Sequence, residues 1–222
     1  MKPLKWCVCA VTFVVSSQCG SAPSLVDAGS AGGSAGGGLA ASAGGSAAGG
    51  SAGGAATGMK RAFVTSRTWT GNLKGTAASG VLGADAKCQA AAAMANLSGT
   101  FKAYVSTDAL DALDRMADVG PWVTRDAMGA TVVVLPSRAA LADQNASRTF
   151  STDETGAVLP AMKEVWTGNL PNGRRDMGTT CRSWESAAAS DSAEVGSLSG
   201  QAWQHDGPVT CDQQRRLLCL EQ

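Results

Sequence analysis

Residue types on which many catalytic and metal sites depend are scarce in this chain of 222 residues. There is one histidine, His205, which excludes a metal site built from several imidazole ligands. The 18 basic and 18 acidic residues balance, so the chain offers no electrostatic reason to bind nucleic acid. The glycine-rich tract has no strand before it and no helix after it, whereas a phosphate-binding loop needs both. We therefore expect no nucleic acid partner, no metal and no cofactor.

Long hydrophobic runs are absent as well. The apolar stretch 6–15 is too short to span a bilayer, and no second stretch is long enough. It follows Lys2 and Lys5 and precedes small polar residues, which is the order of a secretory signal. We therefore predict an exported protein with a signal peptide over residues 1–19.

The exit of this signal, Cys19-Gly20-Ser21, resembles that of a bacterial lipoprotein, in which the cysteine becomes the acylated first residue. The resemblance implies that Cys19 is a lipid anchor, that the protein is held at the cell envelope or cell surface, and that it contacts the membrane only through this lipid. Gln18 departs from the small residue that is usual before the cysteine. The alternative is a secreted protein that is cleaved near Ala22.

A low-complexity tract follows the signal. Residues 28–58 consist of glycine, alanine and serine apart from Leu39 and Thr57. Such a sequence buries too little apolar surface to offset the entropy lost on folding. We predict a disordered linker over residues 20–58, with a root-mean-square reach of about 30 Å. The remaining residues, 59–222, are enough for one domain with its own core.

The seven cysteines divide by position. Cys7 and Cys9 lie in the signal peptide, and Cys19 lies at its end. The cysteines that remain for the folded part are Cys88, Cys181, Cys211 and Cys219. Four cysteines in an exported chain predict two disulfides, which require an oxidising compartment, and the sequence alone allows three pairings.

The hydrophobic pattern of residues 59–222 predicts an α+β domain with helices early and strands late. Helices are predicted over residues 82–97, with one face of small residues, and over residues 108–118. Strands are predicted over residues 61–66, 101–106, 122–124, 131–135, 165–166, 181–184 and 216–220. Long, mostly polar loops between Thr124 and Arg182 are expected to face outward.

A series of motifs runs through this domain in a defined order. They are Phe63-Val-Thr-Ser66, Gly83-Ala-Asp-Ala-Lys-Cys88-Gln-Ala-Ala, Lys102-Ala-Tyr-Val-Ser106, Gly120-Pro-Trp-Val123, Val165-Trp-Thr-Gly168, Cys181-Arg-Ser-Trp184, Trp203 and Arg216-Leu-Leu-Cys219-Leu-Glu-Gln222. In this order they resemble a bacterial lipoprotein domain family related to endostatin, within the C-type-lectin-like fold. The resemblance covers residues 61–222. It implies two helices packed on a twisted antiparallel sheet, long irregular loops, and nested disulfides that join Cys88 to Cys219 and Cys181 to Cys211.

The calcium chemistry of this fold is not carried by the sequence. Calcium-dependent lectins of the fold use Glu-Pro-Asn and Trp-Asn-Asp triplets, which this chain lacks. Its scattered carboxylates in the loops are Asp153, Glu154, Asp176 and Glu185. They offer too few convergent oxygens for the six to eight that calcium takes, so we expect no metal site.

Five residues are candidates for ligand binding. Endostatin binds heparin through surface arginines, which points to the adjacent pair of arginines before Asp176, although that aspartate dilutes their charge. Most tryptophans should fill the core, but the two that flank the irregular stretch are candidates for an exposed platform. The candidates are Trp122, Trp166, Arg174, Arg175 and Asp176.

The sequence contains no recognisable catalytic motif. His205, before Asp206-Gly207, has no accompanying Gly-x-Ser-x-Gly motif, and the aspartates at 108, 111, 114 and 118 form a helical face that we interpret as solvated. We therefore predict no catalytic residue and a monomeric, non-enzymatic recognition or adhesion module that presents a lectin-like head to an extracellular glycan or protein. The alternatives are an envelope hydrolase that uses carboxylates or His205, and a structural envelope protein.

Overall fold

A computed structural model describes residues 58–143, 145, 147–159 and 164–222. The predicted signal peptide, the lipid anchor Cys19 and the linker up to residue 57 lie outside the described residues. No helix in the described part is long and apolar enough to cross a membrane.

The described residues form a mixed α+β structure of ten strands and three helices. The strands are β1 (Lys60–Val64), β2 (Phe101–Ala103), β3 (Trp122–Arg125), β4 (Thr131–Leu135), β5 (Arg148–Thr149), β6 (Glu164–Trp166), β7 (Ser192–Ser197), β8 (Ser199–Gly200), β9 (Gly207–Thr210) and β10 (Leu218–Glu221). The helices are α1 (Gly80–Met94), α2 (Ala112–Arg115) and α3 (Cys181–Trp184). Short 3₁₀ turns cover Arg138–Ala142 and Gln201–Trp203.

The largest sheet has five strands in the order β2-β10-β1-β3-β4. Its neighbours are antiparallel except for β1 and β3, which run parallel. The expectation of an antiparallel sheet is therefore wrong, and the sheet is mixed. The chain between β1 and β3 contains α1 and β2, so it is long enough for the crossover that parallel neighbours require.

The strands predicted over residues 122–124 and 131–135 are confirmed as β3 and β4, which form an antiparallel hairpin. The carboxylate of Asp126 closes its turn by accepting the backbone N–H groups of Met128 and Ala130 at 2.9 and 2.8 Å. Two smaller sheets, β6-β7-β9 and β5-β8, complete the fold. Strands β7 and β9 were not predicted, because their serine, glycine and proline content does not produce a clear alternating pattern.

The alternation of side chains along the central strands separates two hydrophobic cores. Ala62 and Val64 of β1 point into one core, and Phe63 between them points into the other. In β10, Leu218 and Leu220 enter the first core and Cys219 enters the second. The central strands β1 and β10 of the five-stranded sheet are therefore buried on both faces.

Helix α1 confirms the first predicted helix, shifted by two or three residues towards the N-terminus. Its buried residues are Gly80, Gly83, Ala84, Cys88, Ala91 and Ala92. This small-residue face lets the helix lie very close to its neighbours. A Cβ atom on Gly83 would lie 2.1 Å from the backbone oxygen of Leu73, so the close approach requires glycine at this position.

Two predicted elements differ from the structure. The helix predicted over residues 108–118 is reduced to α2, because Asp108 accepts hydrogen bonds from Thr180 and Gly178 and holds the preceding chain in a turn. The strand predicted over residues 181–184 is instead α3, a single turn whose four residues have φ angles of 49–69°. Its left-handed backbone is held by tertiary contacts, since Trp184 is buried and donates its indole N–H to the backbone oxygen of Ser106 at 2.5 Å.

The two disulfides join Cys88 to Cys219 and Cys181 to Cys211, which is the nested pairing that the resemblance implies. The outer bridge connects α1 to β10 across the second core. The inner bridge connects α3 to the residue after β9. Both therefore tie a helix to the sheet system.

Removal of the outer bridge should destabilise the protein more than removal of the inner one. By loop entropy, the 131-residue separation corresponds to about 5 kcal/mol and the 30-residue separation to about 4 kcal/mol. Urea unfolding of the Cys88→Ser/Cys219→Ser and Cys181→Ser/Cys211→Ser variants measures both losses. A larger loss for the inner pair would show that loop length does not determine the contribution of these bridges.

Candidate functional site

The two tryptophans predicted to form an exposed platform are both fully buried, so this prediction is wrong. The indole N–H of Trp122 donates to the backbone oxygen of Glu221, and that of Trp166 donates to the backbone oxygen of Trp69, both at 2.8 Å. A buried indole is stable when its N–H group is paired in this way. Strands β3 and β6 thus direct these rings into the core rather than towards a ligand.

The two candidate arginines lie together in a tight turn that follows β6. The N–H of Leu170 donates to the backbone oxygen of Arg174 at 2.7 Å, and the N–H of Gly173 donates to that of Leu170 at 3.0 Å. Gly173 has a φ of +72°, and a Cβ atom there would lie 2.5 Å from the Tyr104 hydroxyl. Glycine therefore allows the turn to sit directly on the core with the arginines at its surface.

Asp111, which precedes α2, holds both arginines. Its Oδ2 accepts from Nη1 of Arg174 at 2.8 Å, and its Oδ1 accepts from the backbone N–H and Nη1 of Arg175 at 3.0 and 3.3 Å. The side chain of Asp111 is 7% exposed, whereas those of Arg174 and Arg175 are 55% and 37% exposed. A buried carboxylate thus fixes two guanidinium groups that still reach solvent. We call Asp111, Arg174 and Arg175 the arginine cluster.

The ion pairs of the arginine cluster favour the ionised forms of Asp111 and Arg174. Burial by itself raises the pKa of Asp111, but the hydrogen bonds and charges of Arg174 and Arg175 outweigh burial and lower that pKa. The hydrogen bond to Asp111 raises the pKa of Arg174. Asp114 lies 3.7 Å from Nη1 of Arg174 and 3.5 Å from Nη2 of Arg138, so two carboxylates face three guanidinium groups. Most of the positive charge is therefore paired, and what the arginine cluster offers a ligand is positioned N–H donors.

Asp176 belongs to a second group of polar residues, with Glu194 of β7 and His205. Oε2 of Glu194, a residue with 2% exposure, lies 3.0 Å from Nδ1 of His205, which also lies 3.1 Å from the backbone oxygen of Asn169. Burial raises the pKa of Glu194, and the nearby charge of Asp176 raises it further. His205 and the N–H of Gly207 lower the same pKa, but not enough to cancel the rise. This carboxylate–imidazole pair was not expected from the sequence.

The four loop carboxylates considered for calcium are not brought together. Glu154 accepts from the backbone N–H and hydroxyl of Ser66 at 2.7 and 2.5 Å, and Glu185 pairs with Lys74 at 2.9 Å. Asp153 accepts the N–H groups of its own turn. In the described ranges no three histidine, cysteine or acidic side chains are grouped to hold a metal ion.

Asp111 was predicted to lie on a solvated helical face, and Glu194 was not predicted to take part in a site. Both roles come from partners that are distant in the chain: Asp111 binds residues more than sixty positions away. One local signal was available for Asp111, which stands at the N-terminus of a short helix where aspartate is favoured.

The substitution Asp111→Asn should destabilise the protein by about 2 kcal/mol at neutral pH, because it removes charged hydrogen bonds to two arginines. Since the folded-state pKa of Asp111 is lowered, its stabilisation is present above the ordinary value of 3.8 and is lost as pH falls through the lower folded value. Unfolding free energies measured from pH 7 to pH 2 should therefore converge for the two proteins in acid. Asp118→Asn, an exposed substitution on the same predicted face, is the control and should change stability little. A pH-independent difference between Asp111→Asn and the unmodified chain would contradict this account.

No protein-family model matches this chain. It is 29% identical over 158 residues to the collagen alpha-1(XVIII) chain of Homo sapiens, and the match covers 64% of this chain and 9% of the collagen chain. The matched chain contains endostatin. This distant, partial match supports a weak relationship to endostatin, and the chain spans only a small part of that relative's length.

Proposed function

We propose that this protein is a surface-tethered, non-enzymatic recognition or adhesion module. Cys19 carries the lipid that anchors it to the cell envelope or cell surface, residues 20–58 form a flexible spacer, and residues 59–222 form a monomeric head. The ligand is an extracellular glycan or protein that displays anionic groups, and it binds the arginine cluster.

The observation that carries this proposal is the fixed geometry of the arginine cluster. Arginine has five N–H donors in a planar fork that matches carboxylate and sulfate groups. Arg174 uses Nη1 on Asp111, and Nε and Nη2 of its guanidinium group make no hydrogen bond among the described residues. Because Asp111 already holds the side chain, binding costs less of the rotamer entropy that a free arginine loses.

For the fold of the head, we propose the C-type-lectin-like class and an endostatin-like arrangement. The relationship to collagen XVIII, the mixed α+β structure and the nested disulfides support this assignment. In such a scaffold, rigid secondary structure supports irregular loops, and loops of that kind are common binding sites. The turn that bears the arginine cluster lies in the loop region between β6 and α3.

A glycan and protein array probed with the purified exported chain tests this function. We expect binding to anionic glycans or acidic proteins, and we expect Arg174→Gln to reduce it by about two- to tenfold because one charge-assisted contact is lost. Arg182→Gln is the matched control: it removes the same charge from a side chain that is 74% exposed and paired with Asp191. Equal effects of the two substitutions would contradict binding at the arginine cluster, and an array without binding partners would contradict the proposal as a whole.

The pair of Glu194 and His205 favours a second candidate, an envelope hydrolase. Oε2 of Glu194 lies 3.0 Å from Nδ1 of His205, and a carboxylate beside Nδ1 is an arrangement that orients the imidazole of a general base. The backbone oxygen of Asn169 accepts only, so the hydrogen of His205 lies on Nδ1 and its Nε2 is the free basic nitrogen. About a third of the His205 side chain is exposed.

Hydrolysis assays on envelope polymers and ester substrates decide between the two candidates. A hydrolase would show turnover that falls by a factor of about 100 or more in His205→Gln, because general base catalysis contributes that much. We expect no turnover in the unmodified chain and unchanged array binding in His205→Gln. Turnover that depends on His205 would contradict the recognition module and support the hydrolase.

A further inference from the structure

A pocket of about 190 Å³ lies between α1 and the chain that follows β1, and none of its residues belongs to the arginine cluster. Its walls combine an aromatic ring, small apolar side chains, two cations and one carboxylate. The residues that line it are Thr65, Arg67, Trp69, Lys87, Ala90, Ala91, Met94 and Glu154. Pockets that enclose a drug-sized ligand measure about 300–1,000 Å³, so this one has room for a single ring.

Trp69 forms a fixed aromatic wall of this pocket. The backbone N–H of Trp69 donates to the backbone oxygen of Arg215 at 2.8 Å. The backbone oxygen of Trp69 accepts from the backbone N–H of Arg215 at 3.0 Å and from the indole N–H of Trp166 at 2.8 Å. The backbone is therefore held from two directions, while the indole remains half-buried. The other tryptophans of the described domain, at 122, 166, 184 and 203, are fully buried. Trp69 is the described tryptophan that a ligand reaches.

Two cations without carboxylate partners stand at this wall. Nζ of Lys87 lies 6.0 Å from the ring centroid of Trp69 and donates to the backbone oxygen of Leu73 at 2.7 Å. Arg67 is exposed. Neither has an ion-pair partner among the described residues. Partial burial lowers the pKa of Lys87, which means that its ammonium group is incompletely solvated and that an anion beside it would be stabilised.

Glu154 adds a negatively charged hydrogen-bond acceptor to the pocket, opposite in charge to Lys87 and Arg67. This residue is 6% exposed, and its carboxylate oxygens accept from the N–H and hydroxyl of Ser66. Each carboxylate oxygen has a second lone pair, so Glu154 has acceptor capacity left for a hydroxyl group. A hydrogen bond from a hydroxyl to a carboxylate is charge-assisted and short. The pocket therefore has one side for an anion and another for a hydroxyl donor.

We propose that this pocket binds one sugar ring that carries a carboxylate, which is the chemistry of a uronic acid. The carboxylate of the sugar pairs with Lys87 and Arg67, a ring hydroxyl donates to Glu154, and the C–H face of the ring packs against Trp69 and the alanines of α1. A neutral sugar offers no anion to the two cations, and a flat aromatic carboxylate offers no hydroxyl donor to Glu154. The combination selects a ring with both groups.

Titration of the exported chain with glucuronic acid and galacturonic acid, followed by tryptophan fluorescence, tests this site. We expect saturable binding at millimolar concentration. Glucose and galactose should bind about tenfold more weakly, a difference of about 1.4 kcal/mol, because they lack the carboxylate that pairs with Lys87 and Arg67. Benzoate should also bind at least several-fold more weakly than the uronic acids. Equal binding of the neutral sugars would overturn the role of the cations, and equal binding of benzoate would overturn the assignment to a sugar.

Variants locate the binding in the pocket. Lys87→Met and Arg67→Gln should each weaken uronic acid binding by about two- to fivefold, as expected for a pair at a partly exposed site. Lys74→Met and Arg182→Gln remove the same charges from side chains that do not line the pocket and should have no effect. Lys87→Met also removes the hydrogen bond to Leu73 and so could unfold the protein. The side chain of Arg67 makes no hydrogen bond among the described residues, so Arg67→Gln gives the deciding result in that case. Uronic acid binding that is unchanged in Arg67→Gln and in Trp69→Leu would place the ligand elsewhere. Arg174→Gln leaves this pocket intact. A loss of binding in that variant therefore reports on the arginine cluster and not on the sugar site.

Discussion

The bond between Cys88 and Cys219 fixes the position of α1 on the sheet, and much of the molecule depends on that position. Cys219 lies in β10 opposite Phe63 of β1 and Ala103 of β2, so the bridge attaches the helix to three neighbouring strands. The small residues of α1 then pack closely with the side chains of the second core. Asp85, on the same helix, accepts the N–H of Ala103 at 2.9 Å and fixes the register between the helix and β2.

The arginine cluster is connected to this junction by a sequence of buried contacts. Asp85 also receives two hydrogen bonds from Nη2 of Arg115, at 2.7 and 2.8 Å, and Nη1 of Arg115 donates to the backbone oxygens of Ala103 and Val105. Arg115 is the last residue of α2, and Asp111 precedes the same helix. Helix α2 positions Asp111, and Asp111 positions the two exposed guanidinium groups. Asp85 on α1 thus holds α2 in place through Arg115. Loss of one partner would leave a buried charge unpaired, which is strongly destabilising.

The parts of the fold that were predictable are those determined by local patterns. The small-residue face of α1 and the β3–β4 hairpin, with its Asp126 turn, depend on residues close in sequence. The errors arise where distant residues determine the conformation. Nothing near Cys181–Trp184 indicates a left-handed turn, because the Ser106 carbonyl and the partner Cys211 hold it from far away in the chain. The adjacent arginines were identified by composition, whereas Asp111 and Glu194 acquire their roles only when the chain brings them to their partners.

The position of β1 inside the five-stranded sheet determines how the head would bear a mechanical load. Nζ of Lys60 donates to the backbone oxygen of Gln222 at 2.8 Å, so the start of β1 lies beside the end of β10. A pull on the proposed tether enters at Lys60 and acts along β1, which is hydrogen-bonded to β10 on one side and β3 on the other. The backbone hydrogen bonds on both edges of β1 therefore oppose such a load. If β1 yields, Cys88 transfers the force to Cys219, and the covalent bridge limits the extension to about 100 Å before the rest of the head is loaded.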